Sequence, residues 1–151
     1  MPAARILIVE DEVEWQKVVG ELLDDEAHTY HTARTYEDAL VQLDGESFNI
    51  VFLDMMLHEF DLPVRGGSGW KLLDYLVDQR PQAKVIVLSG RATAGEAVQL
   101  VRDYPIAAFI DKGEADVEAQ IAEAIRRALQ APSLRIQTFG RFYFWRDGQL
   151  I

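Results

Sequence analysis

Short apolar runs recur along this 151-residue chain, and several end on a polar side chain suited to chemistry. Glu10 and Asp11 close RILIV, Asp54 closes NIVFL, Ser89 closes KVIVL, and Lys112 follows AAFID. Runs of this kind, alternating with helical patterns, read as parallel strands buried on both faces. An open parallel sheet binds ligands just beyond the carboxyl ends of its strands. The four ends therefore direct three carboxylates, one hydroxyl and one ammonium towards a single crevice. That set suits a divalent cation and a phosphoryl group.

The rest of the chain supplies the matching helices. Val13, Val18, Val19, Leu22 and Leu23 space an apolar face through an acidic helix over roughly 12–25. Residues 28–32 alternate as a weak second strand. Thr35 is placed to cap a helix carrying Ala39, Leu40 and Leu43, with Asp38 at its third position and Asp44-Gly45 at its end. After Asp54 comes a long segment, MMLHEFDLPVRGG, before Ser68 caps a helix bearing Trp70, Leu72, Leu73, Leu76 and Val77 that stops short of Pro81. Strand four is expected over 85–88, a short helix over roughly 93–102, strand five over 107–110 and a last helix over roughly 114–130. Five strands alternating with five helices predict a doubly wound α/β domain over 1–131. Residues 132–151 differ: Pro132-Ser133 breaks the pattern, and LRIQTFGRFYFWRDGQLI reads as β-strand with Asp147-Gly148 as a hairpin signal.

Charge separates the two parts as well. Residues 1–132 hold 12 basic and 24 acidic side chains, whereas 133–151 hold 3 and 1. A net charge of −10 argues against nucleic-acid binding by this stretch itself, since phosphate neutralisation needs surplus Lys and Arg. The absence of cysteine excludes disulfides and thiolate metal sites. The apolar opening is too short for a signal peptide or a membrane span, so a cytoplasmic protein with no membrane partner is expected.

At the crevice, Glu10, Asp11 and Asp54 offer hard oxygens to Mg²⁺ (or Mn²⁺), and a backbone carbonyl near Met56 would add another. Crowded carboxylates repel, and Lys112 supplies only one compensating charge. A carboxylate facing a metal can attack a phosphoryl donor and form an acyl phosphate, with Lys112 and the Ser89 hydroxyl meeting the phosphoryl oxygens. His58, alone on its loop, reads as an exposed residue rather than a ligand. Trp15, one helical turn past Asp11, reads first as helix packing and second as a neighbour of the metal.

With these motifs in order, residues 4–130 resemble the receiver domain of bacterial two-component response regulators. ILIVEDE at 6–12 is similar to that family's first strand and acidic pair, Asp54 to its phosphoacceptor, Ser89-Gly90 to its hydroxyl and small residue, and Lys112 to its lysine. Phe109, three before Lys112, matches the aromatic that changes rotamer on activation. The resemblance implies a flavodoxin-like sheet of order 2-1-3-4-5, metal-dependent phosphorylation of Asp54 by a sensor histidine kinase, and a signalling switch rather than a turnover enzyme. Ser89 and Phe109 would act as the switch pair. The signal would leave through the face of helix four, strand five and helix five, to a homodimer partner or an output domain. The C-terminal β segment is a second possible dimer contact.

Three positions depart from the family pattern. His58 stands where proline is common, Gly113 follows the lysine in place of proline, and Gly69 lies fifteen residues after Asp54, implying an insertion of roughly seven. The last 18 residues resemble the opening strands of a winged-helix DNA-binding domain of the antibiotic-regulatory (SARP/BTAD-like) type, as at the start of an output domain. Two other functions stay in view. A receiver-like module acting by protein contact without phosphate is one, and the insertion keeps it open. An aspartate-nucleophile hydrolase of the haloacid dehalogenase type is weaker, because Met56 stands where such enzymes need a second acid.

Overall fold

A computed structural model of the chain describes residues 4–24, 28–55, 68–90, 94–130, 134–138, 142–146 and 149–150. Five parallel strands form one sheet: β1 (Arg5–Val9), β2 (Thr29–Ala33), β3 (Ile50–Leu53), β4 (Lys84–Ser89) and β5 (Ala108–Asp111), in the order β2-β1-β3-β4-β5. The helices between them are α1 (Val13–Asp24), α2 (Tyr36–Gly45), α3 (Ser68–Gln79), α4 (Ala94–Asp103) and α5 (Val117–Gln130). This is the doubly wound, flavodoxin-like arrangement expected from the sequence.

The two-residue period of the strands sorts the core into two layers. Ile6, Ile8, Ile50, Phe52, Ile86, Leu88, Ala108 and Ile110 face α1 and α5, where they meet Val19, Leu23, Ile121, Ala124 and Ile125. Leu7, Val9, Val51, Leu53, Val85, Val87 and Phe109 face the other way, against Ala39, Leu43, Leu72, Leu73, Leu76, Ala97 and Leu100 of α2, α3 and α4. Strands apolar at every position thus serve both layers, as helix-covered parallel strands must.

Helix ends account for most departures from the expected boundaries. Thr35 caps α2 as anticipated, its side-chain oxygen accepting from the Asp38 N–H at 3.0 Å. Ser68 is the first residue of α3 rather than the cap before it. β2 starts one residue late because His28 is otherwise engaged: its buried Nδ1 accepts from the Ala4 N–H at 3.0 Å. α5 begins at Val117, three residues beyond the expected start. There the Asp111 carboxylate accepts from the Gly113 N–H at 2.8 Å, and the Asp111 carbonyl accepts from the Glu114 N–H at 3.2 Å. The first i→i−4 bond at the start of α5 then runs from the Gln120 N–H to the Asp116 carbonyl at 3.0 Å.

The C-terminal stretch forms β6 (Leu134–Thr138), β7 (Phe142–Arg146) and β8 (Gln149–Leu150), an antiparallel sheet of its own. Arg146 pairs with Gln149, which leaves two residues between the strands, as the Asp147-Gly148 signal requires. Met56, His58 and the rest of the insertion fall outside the described residues. No helix among the described residues is long and apolar enough to cross a membrane.

Candidate functional site

The strand period that builds the core also assembles the site. Glu10 continues the row of Ile6 and Ile8, Asp54 the row of Ile50 and Phe52, and Lys112 the row of Ala108 and Ile110. All three rows lie on the α1/α5 side, and β1 and β3 are neighbours, with Val9 opposite Leu53. Backbone bonds hold these ends in register: the Glu10 N–H donates to Ala33 O at 2.9 Å, Asp54 N–H to Val9 O at 3.0 Å and Lys112 N–H to Ser89 O at 3.0 Å. Burial is nearly complete, with Glu10 2%, Asp54 4% and Ser89 2% exposed.

Lys112 is the hub. Its Nζ donates to Asp54 Oδ2 at 3.2 Å, and lies 2.6 Å from Glu10 Oε2 and 3.7 Å from Glu12 Oε1. The Glu10 contact is a buried ion pair. The other oxygen, Oε1, accepts from the Glu12 N–H at 3.1 Å. Burial first, and then the charge of Asp54, push the Glu10 carboxyl up to about 8 against the pull of Lys112. Burial pushes the Lys112 ammonium down, but the Asp54 and Glu10 carboxylates outweigh it and hold it above the ordinary lysine range.

Oxygens of Glu10, Asp11, Glu12 and Asp54 all lie within 4.8 Å of one another. Four carboxylates facing one ammonium leave negative charge uncompensated. Hard, anionic oxygens in surplus are the donor set that a small divalent cation takes, so these residues fit Mg²⁺ or Mn²⁺.

Sequence reasoning placed Glu10, Asp11, Asp54 and Lys112 together, and the structure does so too. Ser89 is brought beside them through its carbonyl bond to Lys112. Phe109 is fully buried in the α2–α4 layer. One residue was missed. Glu12 adds a third consecutive acid, which the sequence displays openly. Trp15 packs on the α1/α5 core but also sets its ring beneath Lys112, with Nζ 5.2 Å from the centroid. Two cavities of about 430 Å³ lie at the opposite end of the sheet, around residues 80–83, and their linings include no carboxylate. They play no part in this cluster.

Comparison with known proteins agrees with the geometry. A family model described as "Response regulator receiver domain" matches residues 6–126. The nitrogen assimilation regulatory protein NtrX of Azorhizobium caulinodans is 32% identical over 97 residues, covering 64% of this chain and 20% of that protein. The transcriptional regulatory protein TcrA of Mycobacterium tuberculosis is 30% identical over 94 residues, 62% of this chain and 34% of that protein. The chain thus spans only a fifth to a third of these relatives. Among solved structures, NtrX from Brucella abortus superimposes with a TM-score of 0.73 at 31% identity, covering 87% of this chain and 28% of that one. A CheY-like receiver domain protein from Methanospirillum hungatei shares the fold at a TM-score of 0.73 and 24% identity, over 87% of this chain and 97% of that one. With matching motifs, topology and family model, this chain belongs to the receiver domains of two-component response regulators.

Proposed function

We propose that the domain is a phosphorylation-controlled switch in which Asp54 accepts a phosphoryl group from a partner sensor histidine kinase. The observation that carries this reading is a buried Asp54 bonded to Lys112 and flanked by Glu10 and Asp11 at the carboxyl edge of the sheet. A carboxylate oxygen of Asp54 attacks phosphorus, an acyl phosphate bond forms, and the bond from phosphorus to the donor imidazole breaks. Lys112 then keeps its ammonium on the growing charge of the phosphoryl oxygens, and the Ser89 hydroxyl donates to another of them. Glu10, Asp11, Asp54 and the carbonyl of Met56 would hold Mg²⁺ or Mn²⁺, which when bound neutralises the phosphoryl oxygens.

Ser89 and Phe109 make the switch, linking the site to the face of α4, β5 and α5. Through that face the domain meets a second copy or an output domain. Residues 1–131 form the receiver, and 132–151 begin an output module of the winged-helix, antibiotic-regulatory type. The strand pairing of β6 to β8 supports this division. The protein works in the cytoplasm, takes part in its own phosphorylation and dephosphorylation, and turns over no other substrate. The name of TcrA, a transcriptional regulatory protein, supports a transcriptional output.

Intact mass after incubation with Mg²⁺ and a small acyl phosphate is the test. The expected result is one added phosphoryl group in the wild type and none in Asp54→Asn. Labelling that survives in Asp54→Asn overturns the assignment. If neither a small donor nor any histidine kinase labels the wild type, the domain is instead a contact module that never takes phosphate.

A further inference from the structure

The ammonium of Lys112 has two kinds of neighbour. Among the described residues, three are carboxylates: Glu10 at 2.6 Å, Asp54 at 3.2 Å and Glu12 at 3.7 Å. The fourth is the ring of Trp15, whose centroid lies 5.2 Å from Nζ. That distance is within the range at which a cation is attracted to the negative face of an aromatic ring. The lysine side chain is only 8% exposed, so water screens this attraction little.

We propose that Trp15 is a positioning residue for phosphoryl transfer, keeping the Lys112 ammonium over the site while its carboxylate partners are drawn elsewhere. This rests on the reading of Asp54 as phosphoacceptor. Every carboxylate that holds Lys112 belongs to the acidic cluster fitted to a cation, and Asp54 is also the group to be phosphorylated. Cation binding and acylation both weaken those ion pairs at the moment when Lys112 must face new oxygens. The indole stays available throughout, because it is neutral and offers a metal no ligand. A ring also presents a broad face rather than a directed lone pair, so the ammonium can shift across it towards a phosphoryl oxygen without losing its hold.

The local chain is built to keep the ring there. Trp15 lies in the first turn of α1, which is tied to the end of β1: Gln16 Nε2 donates to Glu10 O at 2.6 Å, and the Gln16 N–H to Glu12 O at 3.2 Å. The Trp15 side chain packs on the α1/α5 core. The ring is therefore fixed from two sides.

The experiment compares wild type, Trp15→Phe and Trp15→Leu. The first readout is the proton chemical shift of the Lys112 Hε methylene, recorded without donor. Ring current should place it upfield in wild type and Trp15→Phe, and at the ordinary lysine position in Trp15→Leu. The second is the initial rate of labelling of Asp54 by an acyl phosphate with saturating Mg²⁺. Trp15→Leu should slow labelling by about 2- to 30-fold, with Trp15→Phe restoring much of the loss. Labelling of Trp15→Leu at the wild-type rate overturns the proposal. So does equal slowing in Leu and Phe that tracks their thermal stability, since that is the signature of packing alone. A wild type that no donor labels removes the phosphoacceptor reading itself, a result distinct from either.

Discussion

Burial and the charge of Asp54 lift the Glu10 carboxyl from an ordinary 4.5 to about 8. Between those two values the folded protein keeps a proton that the unfolded chain releases, so stability falls as pH rises. The contribution is complete below 4.5 and lost as pH rises through about 8. In chelator, the urea midpoint should decline from about pH 5 to pH 8. Glu10→Gln should flatten that decline, and millimolar Mg²⁺ should flatten it in the wild type by supplying the missing positive charge. A midpoint that is equally pH-dependent in Glu10→Gln would place the effect elsewhere. Lys112→Ala makes the opposite change, leaving Glu10 and Asp54 buried side by side with no ammonium. Stability in chelator at pH 8 should drop by about 3 kcal/mol or more, and Mg²⁺ should recover part of it.

Among the elements, α3 is the one whose seat is most demanding. A Cβ on Gly69 would collide with the backbone of Met55, at both its carbonyl oxygen and its Cα. The start of α3 can approach the end of β3 only because residue 69 has no side chain. Gly69→Ala should cost about 1–3 kcal/mol in urea unfolding and shift the amide resonances of Asp54 and Met55. The elements themselves were legible in the sequence because a strand buried on both faces is a run of apolar residues, and β1, β3 and β4 are such runs. The start of α5 was not, since Asp111 closes two local turns on Gly113 and Glu114 before the helix begins, and periodicity carries no sign of that. Glu10, Asp11, Asp54 and Lys112 were legible as a site because strand ends in a parallel sheet meet by topology. The contact of Trp15 with Lys112 was not, because it depends on the rotation of α1 over the sheet, a tertiary quantity.

At the scale of the molecule, the two core layers draw together residues between Ala4 and Ala128, and β6 lies against β5 and α5. If 132–151 are the separate unit proposed above, a chain ending at residue 131 should unfold in a single cooperative transition, with a melting temperature close to that of the full 151 residues. Two transitions in the full chain, with the upper one kept in the truncation, would also mark 132–151 as a separate unit. A single transition that moves by many degrees on truncation would show that the boundary at 131 is misplaced.

The meeting of Met55 and Gly69 also sets how freely this family can vary beside its site. Met55 and Gly69 lie in contact, so the stretch of chain between them is closed at nearly one point, and each residue added to it carries the entropy of closing a loop. Going from roughly five to twelve residues raises that entropy cost by about 0.8 kcal/mol. An addition so inexpensive can be acquired, lengthened or exchanged between relatives without moving α3, which makes this point beside Asp54 a place where lineages can diverge in recognition while keeping one common chemistry.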